Sequence, residues 1–362
     1  MKTKKATTYQ LPLIVLSCLL AATIAALIVI WTVFGTSRSP SEDKYENTTF
    51  AMGTYLVQTV YGGADSKSRT EAASAATSAI NELEQHISWR QTDSDIQKLN
   101  NSAGKASVSL HEDTVSILET ALDVAQRTEG AYDPTILPLS LLWNFDAGGT
   151  TVPDPSALKE HLQYVDYTQL QLDKQNASAF LKKKHFAVDL GAIGKGAACD
   201  AAIDAYRKTD ISCGIVASGG SVGVYGKKAD GSPWAIGIRN PNSDDTSAAM
   251  GTLSIEDGFV STSGTYERYF QQDGVTYHHI LNPKTGYPAD TDLVSVTVHC
   301  DNGALSDALS TACLVLGTER SQSLLASYNA DAIFITKENQ VIVSDGLKDC
   351  FTITESSFTL QT

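Results

Sequence analysis

The pattern of apolar and polar positions along the chain predicts a mixture of helices and strands. Ala, Ile and Leu recur at helical spacing in several segments, which predicts helices at residues 71–87, 114–127, 197–207 and 305–316. Short apolar or alternating runs between turn residues predict strands at residues 186–190, 234–239, 251–255, 259–263, 276–281, 293–299, 332–336 and 340–344. Because strands mostly follow one another with helices interspersed, the order favours an α+β fold over a doubly wound parallel sheet.

The N-terminus carries an apolar segment long enough to cross a membrane. Residues 11–34 contain no charged side chain and follow Lys2, Lys4 and Lys5. As a helix this segment would span about 36 Å, against about 30 Å for a bilayer core. Basic flanks stay on the cytoplasmic side, so the pattern predicts a single-pass anchor with the rest of the chain outside the cytoplasm.

Two alternatives concern the fate of this segment. A cleaved signal peptide usually has an apolar region of about 7–15 residues, which is shorter than the run observed here. Cys18 and the residues before it loosely resemble a lipoprotein cleavage site, but the apolar run continues well past that cysteine. The expected organisation is a basic cytoplasmic tail at 1–10, an anchor or uncleaved signal at 11–34, a polar linker at 35–48 and one large domain at 49–362.

Composition narrows the class of partner. The chain has 362 residues, is 42% hydrophobic and carries a net charge of −14. A nucleic-acid-binding protein normally presents a basic face, and here the triple lysine at 182–184 reads as a solvated turn between strands. None of the six cysteines has metal-type CxxC spacing, and five in the exported part do not form a disulfide framework, so we expect buried thiols.

The first candidate for chemistry is the pair Asp307 and Thr311 in SDALSTACLVLG. Residues four apart on a helix share one face, so the carboxylate and the hydroxyl lie a turn apart. Both are oxygen ligands of the kind that magnesium prefers. A structural interpretation stays open at this point, in which Ser306 caps the helix and Asp307 simply favours its dipole.

The second candidate is the glycine-rich turn DLGAIGKG at residues 189–196. A strand would enter this turn and a helix would leave it, which exposes main-chain groups and lets a phosphate approach closely. No Ser or Thr follows Lys195 and the glycine spacing is wrong for a Walker A loop. A tight structural turn is the open alternative.

A third candidate is the histidine pair in YHHILNPKTGYP at residues 277–288. Adjacent residues of a strand face opposite ways, so one histidine would point inward and one outward. A histidine here could act as a general base, or the pair could be a surface residue beside a hydrogen-bonded core residue.

Two further segments complete the set. Tyr132, Trp143 and Phe145 could wall a flat ring, although such aromatic runs are more often core. The paired glycines of ASGGSVGVYG at 217–226 suit a tight turn or a close approach of ligand. No GxSxG motif occurs, so a serine hydrolase is not supported.

These segments in this order resemble the FAD:protein FMN transferase (ApbE) family. The motifs that carry the resemblance are Met52-Gly53-Thr54, GAYDPT at 130–135, DLGAIGKG at 189–196, SGGSVGVYG at 218–226 with WAIGIRNP at 234–241, STSGTYERYF at 261–270, HHILNPKTGYP at 278–288 and SDALSTACLVLG at 306–317. They cover nearly the whole body of the chain after the linker.

The resemblance implies a single large α+β domain of the ApbE type, similar to a T-fold. It also implies binding of FAD as substrate, Mg²⁺ as cofactor, and transfer of FMN to a Thr or Ser hydroxyl of an exported acceptor protein with release of AMP. The metal ligands that it implies are Asp307, Thr311 and the carbonyl of Ala192, and His279 is the candidate for proton transfer. Flavin or nucleotide contacts would fall at Met52, Ala131, Tyr132, Asp133, Asp189, Lys195 and Ile280.

The sequence departs from the family's pattern at three places. Ser221 stands where an Asp is usual, Gly194 replaces a common Ala, and Asn282 replaces a frequent Asp. The loss of a charge at Ser221 bears on nucleotide affinity. Two other functions use the same residues and stay open, namely an FAD pyrophosphatase that uses water as acceptor and a flavin-binding carrier without catalysis.

Overall fold

The computed structural model describes residues 44–228 and 230–361. Within these ranges no helix combines the length and the apolar character that a membrane crossing requires. The predicted anchor at 11–34 and the basic tail at 1–10 lie outside the described residues, and both stay predictions.

Helices and strands alternate in short groups along the described chain. The helices are α1 (Ser66–Ile87), α2 (Asp95–Asn101), α3 (Glu112–Arg127), α4 (Leu137–Trp143), α5 (Pro155–Leu162), α6 (Gly194–Arg207), α7 (Gly303–Leu316) and α8 (Thr318–Ser327). The strands are β1 (Lys44–Ala51), β2 (Thr54–Gly62), β3 (Val108–Ser109), β4 (Leu170–Asp173), β5 (Ser178–Leu181), β6 (Ile211–Ser218), β7 (Ser221–Tyr225), β8 (Trp234–Arg239), β9 (Ala249–Ile255), β10 (Gly258–Gly264), β11 (Tyr269–Gln272), β12 (Val275–His278), β13 (Leu293–Cys300), β14 (Asp331–Thr336), β15 (Gln340–Val343), β16 (Phe351–Ile353) and β17 (Thr359–Leu360).

One large sheet organises these elements. Within the described ranges it has nine strands in the order β1-β2-β6-β7-β10-β13-β14-β15-β17. Neighbours pair antiparallel except β15 and β17, which are parallel. Smaller sheets are formed by β8, β9 and β16, by β3, β4 and β5, and by the hairpin of β11 and β12. This is the mixed α+β arrangement that the order of predicted elements favours.

Separate apolar clusters cover the large sheet. Helices α1 and α6 pack through a cluster that includes Leu56, Ile80 and Ile203. The small sheet of β8 and β9 packs through another cluster, which includes Trp234 and Val260. Each fully buried aliphatic side chain contributes about 1.5–3 kcal/mol relative to exposure, so these clusters hold the layers together.

Two sequence expectations on local structure are wrong. Residues 186–190 form no strand beyond an isolated parallel bridge between Ala187 and Ile136. Val188 bonds instead to the side chain of Asn100: its N–H donates to Oδ1 at 2.7 Å and its carbonyl accepts from Nδ2 at 3.0 Å. The predicted linker at 35–48 is also too long, since β1 begins at Lys44. Every second residue of β1 is partly buried, but polar residues occupy these positions and hide the alternation.

Helices α6 and α7 touch through glycine. A Cβ placed on Gly196 would lie 1.9 Å from the carbonyl oxygen of Gly303, and one placed on Gly303 would lie 2.3 Å from the carbonyl oxygen of Gly196. Only a residue without a side chain allows two helix backbones to come this close. The glycine at 196 therefore fixes how near α7 lies to the turn that precedes α6.

We predict that Gly196→Ala lowers the free energy of unfolding by about 2 kcal/mol or more, because the added methyl group meets backbone that has no freedom to move aside. Urea titration followed by circular dichroism measures this. Gly237→Ala is the matched control, since its Cβ would have ordinary contact at 3.5 Å with Ala249. Equal stability of the two variants would contradict the role given to the helix contact.

Candidate functional site

The glycine-rich segment turns the chain into α6. The Leu190 carbonyl accepts hydrogen bonds from the N–H groups of Ile193 and Gly194, at 3.2 and 2.8 Å, which closes the turn. The Asp189 carboxylate accepts from the N–H of Gly191 at 2.8 Å and stiffens it from the other side. Helix α6 then begins at Gly194, which places Lys195 in its first turn.

Lys195 and Asp307 meet in the space between this turn and α7. The Lys195 ammonium lies 3.3 Å from each oxygen of the Asp307 carboxylate and 3.3 Å from the carbonyl of Gly191. Asp307 also accepts from the N–H of Gly196 at 3.1 Å, and its side chain is only 2% exposed. A buried carboxylate is thus paired with a cation beside the carbonyl groups of the turn.

The N-terminus of α7 is capped in a way that the sequence did not indicate. Asn302, rather than Ser306, is the cap, and its side chain accepts from the N–H of Leu305 at 2.7 Å. The Asp200 carboxylate accepts hydrogen bonds from the N–H groups of Gly303 and Ala304, both at 2.7 Å. Burial raises the pKa of Asp200 to about 6. Asp307 is therefore not needed for capping, because other side chains satisfy the helix end.

Thr311 lies one turn after Asp307 and belongs to a row of hydroxyl groups. Its Oγ1 lies 3.1 Å from the Ser263 hydroxyl, which also contacts Ser310 at 2.7 Å. The row continues deeper between β10 and α7 through Ser221, Ser261 and Ser306, whose hydroxyls are 3.0 and 2.7 Å apart. Ser221 is 1% exposed, and the serine that replaces the usual Asp joins β7 to β10, while Ser261 makes the contact with α7.

The oxygen groups at this place suit a hard cation. The Lys195 ammonium lies between the Asp307 carboxylate and the Gly191 main-chain carbonyl, which is a position that a metal cation could take. The Thr311 hydroxyl is one helical turn from Asp307, and Ala192 follows Gly191 in the glycine-rich turn. No group of three or more His, Cys, Asp or Glu side chains that could hold a metal occurs in the described ranges. Many Mg²⁺ sites have only one or two protein carboxylates, and water and substrate phosphates supply the other ligands.

Tyr132 lies close to the carboxylates of this region. It is 3% exposed, and its hydroxyl has no hydrogen-bond partner within the described chain. Burial raises its pKa well above the ordinary value, and the charges of Asp307, Asp189 and Asp133 add to that. The phenol therefore stays neutral and keeps a donor free beside the site.

The Asp133 carboxylate accepts hydrogen bonds from neighbouring residues of the protein. Its carboxylate accepts from the N–H and the hydroxyl of Thr135, at 2.8 and 2.6 Å, and from the N–H of Tyr167 at 2.9 Å. Burial raises its pKa to about 6.

Ala131 and Ile280 are core residues of one apolar cluster, 4% and 6% exposed. Any ligand contact at Ala131 or Ile280 would be through the main chain.

Met52 joins the start of the domain to the glycine-rich turn. Its backbone has φ 54°, in the left-handed region, and its N–H donates to the Glu84 carboxylate at 2.9 Å. A Cβ on Gly194 would lie 3.3 Å from the terminal methyl of Met52 and 3.4 Å from Ile87. The glycine that replaces the usual alanine therefore leaves room beside Met52.

The histidine pair differs from expectation, because β12 ends at His278 and the alternation stops there. His278 is buried and its Nε2 contacts the Ala289 carbonyl at 3.0 Å. His279 is partly exposed, but its Nδ1 is buried without a hydrogen-bond partner in the described ranges. Burial lowers the pKa of His279 to about 3, and the nearby charges of Arg268, His278 and Lys195 act in the same direction. The imidazole is therefore neutral at physiological pH.

The aromatic run follows the more frequent of its two interpretations at Trp143, which is core. Trp143 is 1% exposed and its indole N–H donates to the Gly286 carbonyl at 2.7 Å, so it is a core residue. Phe145 stacks on it with ring centroids 5.5 Å apart and remains partly exposed. The apolar character of this segment gave no indication of which ring would face outward.

Four residues near the site were missed at the sequence level. The Trp89 indole nitrogen is buried without a partner in the described ranges, and the Arg90 guanidinium lies over its ring, 4.1 Å from the centroid. Arg90 and Arg268 both bind the carboxylate of Asp146. Arg268 lies in the motif STSGTYERYF, but nothing in the sequence pairs it with Arg90 and Asp146, so only the fold shows that these residues meet.

The fold is mixed α+β, and a glycine-rich turn and the first turns of α7 bring a buried carboxylate, a lysine ammonium and a main-chain carbonyl together. The family model of the ApbE family matches residues 52–334. The chain therefore belongs to the ApbE family.

Curated relatives and solved structures agree with this assignment. The chain is 33% identical over 332 residues to an FAD:protein FMN transferase of Treponema pallidum, covering 88% of this chain and 91% of that one. It is 31% identical over 316 residues to one of Klebsiella pneumoniae, with 87% and 96% covered. The fold is similar to that of the ApbE protein of Thermotoga maritima, with TM-score 0.77, 32% identity, and 85% and 99% covered. It is also similar to the flavin transferase ApbE of Vibrio cholerae, with TM-score 0.73, 27% identity, and 88% and 98% covered.

We predict that His279 makes the protein less stable in mild acid. Its pKa is about 3 in the folded chain against an ordinary 6.5, so below pH 6.5 the unfolded chain binds a proton that the folded chain does not. Stability should fall as the pH drops from 6.5, by about 2 kcal/mol at pH 5. His279→Asn should lose correspondingly less between pH 7.5 and pH 5 in urea titrations.

The control for this experiment is His185→Asn, because His185 is exposed and lies away from the pair. Its pH dependence should follow that of the wild type. Parallel pH profiles for wild type and His279→Asn would show that His279 is not held neutral by its surroundings.

Proposed function

We propose that this protein is a Mg²⁺-dependent FAD:protein FMN transferase that joins FMN through a phosphoester to a Thr or Ser of an exported acceptor protein and releases AMP. Family membership supports the reaction class. The observation that carries the proposal is the buried Asp307 carboxylate, paired with Lys195 beside the carbonyls of the glycine-rich turn and one helical turn from Thr311.

The chain's own groups can bind the pyrophosphate of FAD. Asp307, Thr311 and the main-chain carbonyl of Ala192 would hold Mg²⁺, which when bound supplies positive charge against the phosphate oxygens. Lys195 can then contribute its charge to the substrate, because a metal-bound Asp307 no longer depends on it. The partnerless Tyr132 hydroxyl and the Trp89 indole N–H remain as donors for polar atoms of the flavin or the nucleotide.

His279 is the group that we propose to receive the proton. The acceptor hydroxyl oxygen forms a bond to the FMN phosphorus, its proton goes to His279, and AMP leaves with the bridging oxygen of the pyrophosphate. The His279 imidazole is neutral in the free protein, because burial lowers its pKa to about 3. A histidine with so low a pKa is a weak base, so the negative charge of bound FAD must raise this pKa for the proton to be accepted. Its Nδ1 has no hydrogen-bond partner within the described residues.

Two other functions would use the same residues. An FAD pyrophosphatase would place water where the acceptor hydroxyl stands and give free FMN and AMP. A flavin-binding carrier would bind FAD and leave it intact. Incubation with FAD, Mg²⁺ and an exported candidate acceptor distinguishes all three, since transfer gives a fluorescent acceptor with an FMN mass shift, hydrolysis gives free FMN, and a carrier gives neither.

We also propose that residues 11–34 anchor the protein in the cell membrane and place the catalytic domain on the extracytoplasmic side. The support is the uncharged apolar run after Lys2, Lys4 and Lys5. The acceptor would then be reached outside the cytoplasm, so mass spectrometry of the exported proteins with and without this chain would identify it.

We predict that Asp307→Asn lowers the rate of transfer at least 100-fold, because the site loses its carboxylate for Mg²⁺ and its charge partner for Lys195. The rate of FMN incorporation measures this, and Mg²⁺ titration should require a higher concentration in the variant. Asp301→Asn is the matched control, since it removes an exposed carboxylate just before α7. Transfer by Asp307→Asn at the rate of this control would show that the metal ligands are assigned wrongly.

We predict that a soluble form beginning at residue 44 transfers FMN in vitro at the wild-type rate. The residues of the proposed site all lie between Met52 and Thr311, within the described body of the chain. The comparison is with the full-length protein in detergent at equal FAD and acceptor concentrations. A soluble form that folds but is inactive would show that the N-terminal segment does more than anchor.

A further inference from the structure

Asp146 links two arginines that come from distant parts of the chain. Arg90 binds one oxygen of its carboxylate and Arg268 binds the other. We call these three residues the arginine bridge. All are about half exposed, at 50%, 44% and 53% for Arg90, Asp146 and Arg268. One carboxylate between two guanidinium groups leaves a net charge of about +1.

Aromatic packing holds the arginine bridge in place. Asp146 lies in a short 3-10 turn after Phe145, whose ring packs on Phe270 with centroids 5.5 Å apart. Phe270 follows Arg268 by two residues, so this contact brings Asp146 alongside Arg268. Arg90 is held from the other side by the Trp89 ring beneath it.

The arginine bridge lies beside the proposed site. The Arg268 carbonyl accepts from the N–H of His279 at 3.0 Å, so the two residues are directly paired. The charges of Arg268, Asp146 and Lys195 all act on His279, and those of Arg90, Asp146 and Lys195 all act on Asp189. The arginines and Lys195 therefore contribute positive charge to the same two residues, His279 and Asp189.

Stability does not account for this arrangement. Exposed ion pairs contribute about 0–1 kcal/mol each, and bringing two guanidinium groups onto one carboxylate adds repulsion between them. Each guanidinium has five N–H donors and gives one bond to Asp146, so several donors remain in a fixed plane. Such an array matches an oxyanion, above all a phosphate group.

We propose that Arg90 and Arg268, held at a fixed spacing by Asp146, bind the phosphate that leaves with AMP. This inference rests on the proposed function, because it assigns part of FAD to a part of the site. When the bond from the FMN phosphorus to the bridging oxygen breaks, that oxygen leaves with the electron pair and AMP gains negative charge. The arginines stabilise this charge, and Asp146 reduces the repulsion between them.

The test is equilibrium binding of AMP and of adenosine, which lacks the phosphate, by calorimetry with the full chain in detergent and Mg²⁺. We expect Arg90→Gln and Arg268→Gln each to weaken AMP binding about tenfold and to leave adenosine binding unchanged. Arg268→Lys should fall between wild type and Arg268→Gln. Arg127→Gln is the matched control, since Arg127 also pairs with an exposed Asp and lies over an aromatic ring.

Asp146→Asn separates anion binding from a merely structural role. If the arginines bind phosphate, this variant weakens AMP binding less than either arginine variant does, because both guanidinium groups remain and only their spacing is loosened. If they only hold the turn at 145–147 through Asp146, this variant loses AMP binding as much as the arginine variants do, and the inference is overturned. Unchanged AMP affinity in both arginine variants also overturns it. A wild-type protein that binds neither AMP nor FAD would instead count against the proposed function itself.

Discussion

The approach of α6 to α7 at Gly196 and Gly303 is the constraint on which the rest of the site depends. Because the two helix backbones are in contact here, the N–H of Gly196 donates a hydrogen bond to the Asp307 carboxylate. The Lys195 ammonium, from the same turn of α6, contacts that carboxylate too. A methyl group on Gly196 would also lie 2.8 Å from the Cβ of Asp307, so the carboxylate itself would have to shift. The glycines of this motif thus serve helix contact as directly as they serve a ligand.

The buried pair of Lys195 and Asp307 is poor support for stability and good support for function. Removing two charges from water costs several kcal/mol per ion, and the attraction between them rarely offsets this by much. The contacts at 3.3 Å are longer than those of a strong charge-assisted bond. A carboxylate held at 2% exposure by such a pair is ready to exchange its partner for another cation, which is how we interpret its role with Mg²⁺.

The sequence predicted the helices and strands that have a regular apolar pattern, and the segments that carry a recognisable motif. The strand at Trp234–Arg239 and the helix that carries Asp307 and Thr311 follow from local periodicity, and family motifs brought Lys195 and His279 into one proposed site. The Asn100 side chain satisfies the main chain of Val188, and a single side-chain contact of this kind produces no periodic pattern in the sequence. The cap of α7 is Asn302 and not Ser306. Asp200, which also accepts from this helix end, lies on the neighbouring helix α6 and is far away in the sequence.

The arginine bridge shows why some of the site lay beyond sequence reasoning. Arg90, Asp146 and Arg268 are far apart in the chain, and each has the composition of an ordinary surface residue. Their meeting depends on where the rings of Phe145 and Phe270 pack, which is a tertiary property. A substrate whose leaving group gains charge needs positive groups on both sides of the bond that breaks. In the proposed reaction Mg²⁺ at Asp307 would supply part of this charge, and the arginine bridge would supply the rest.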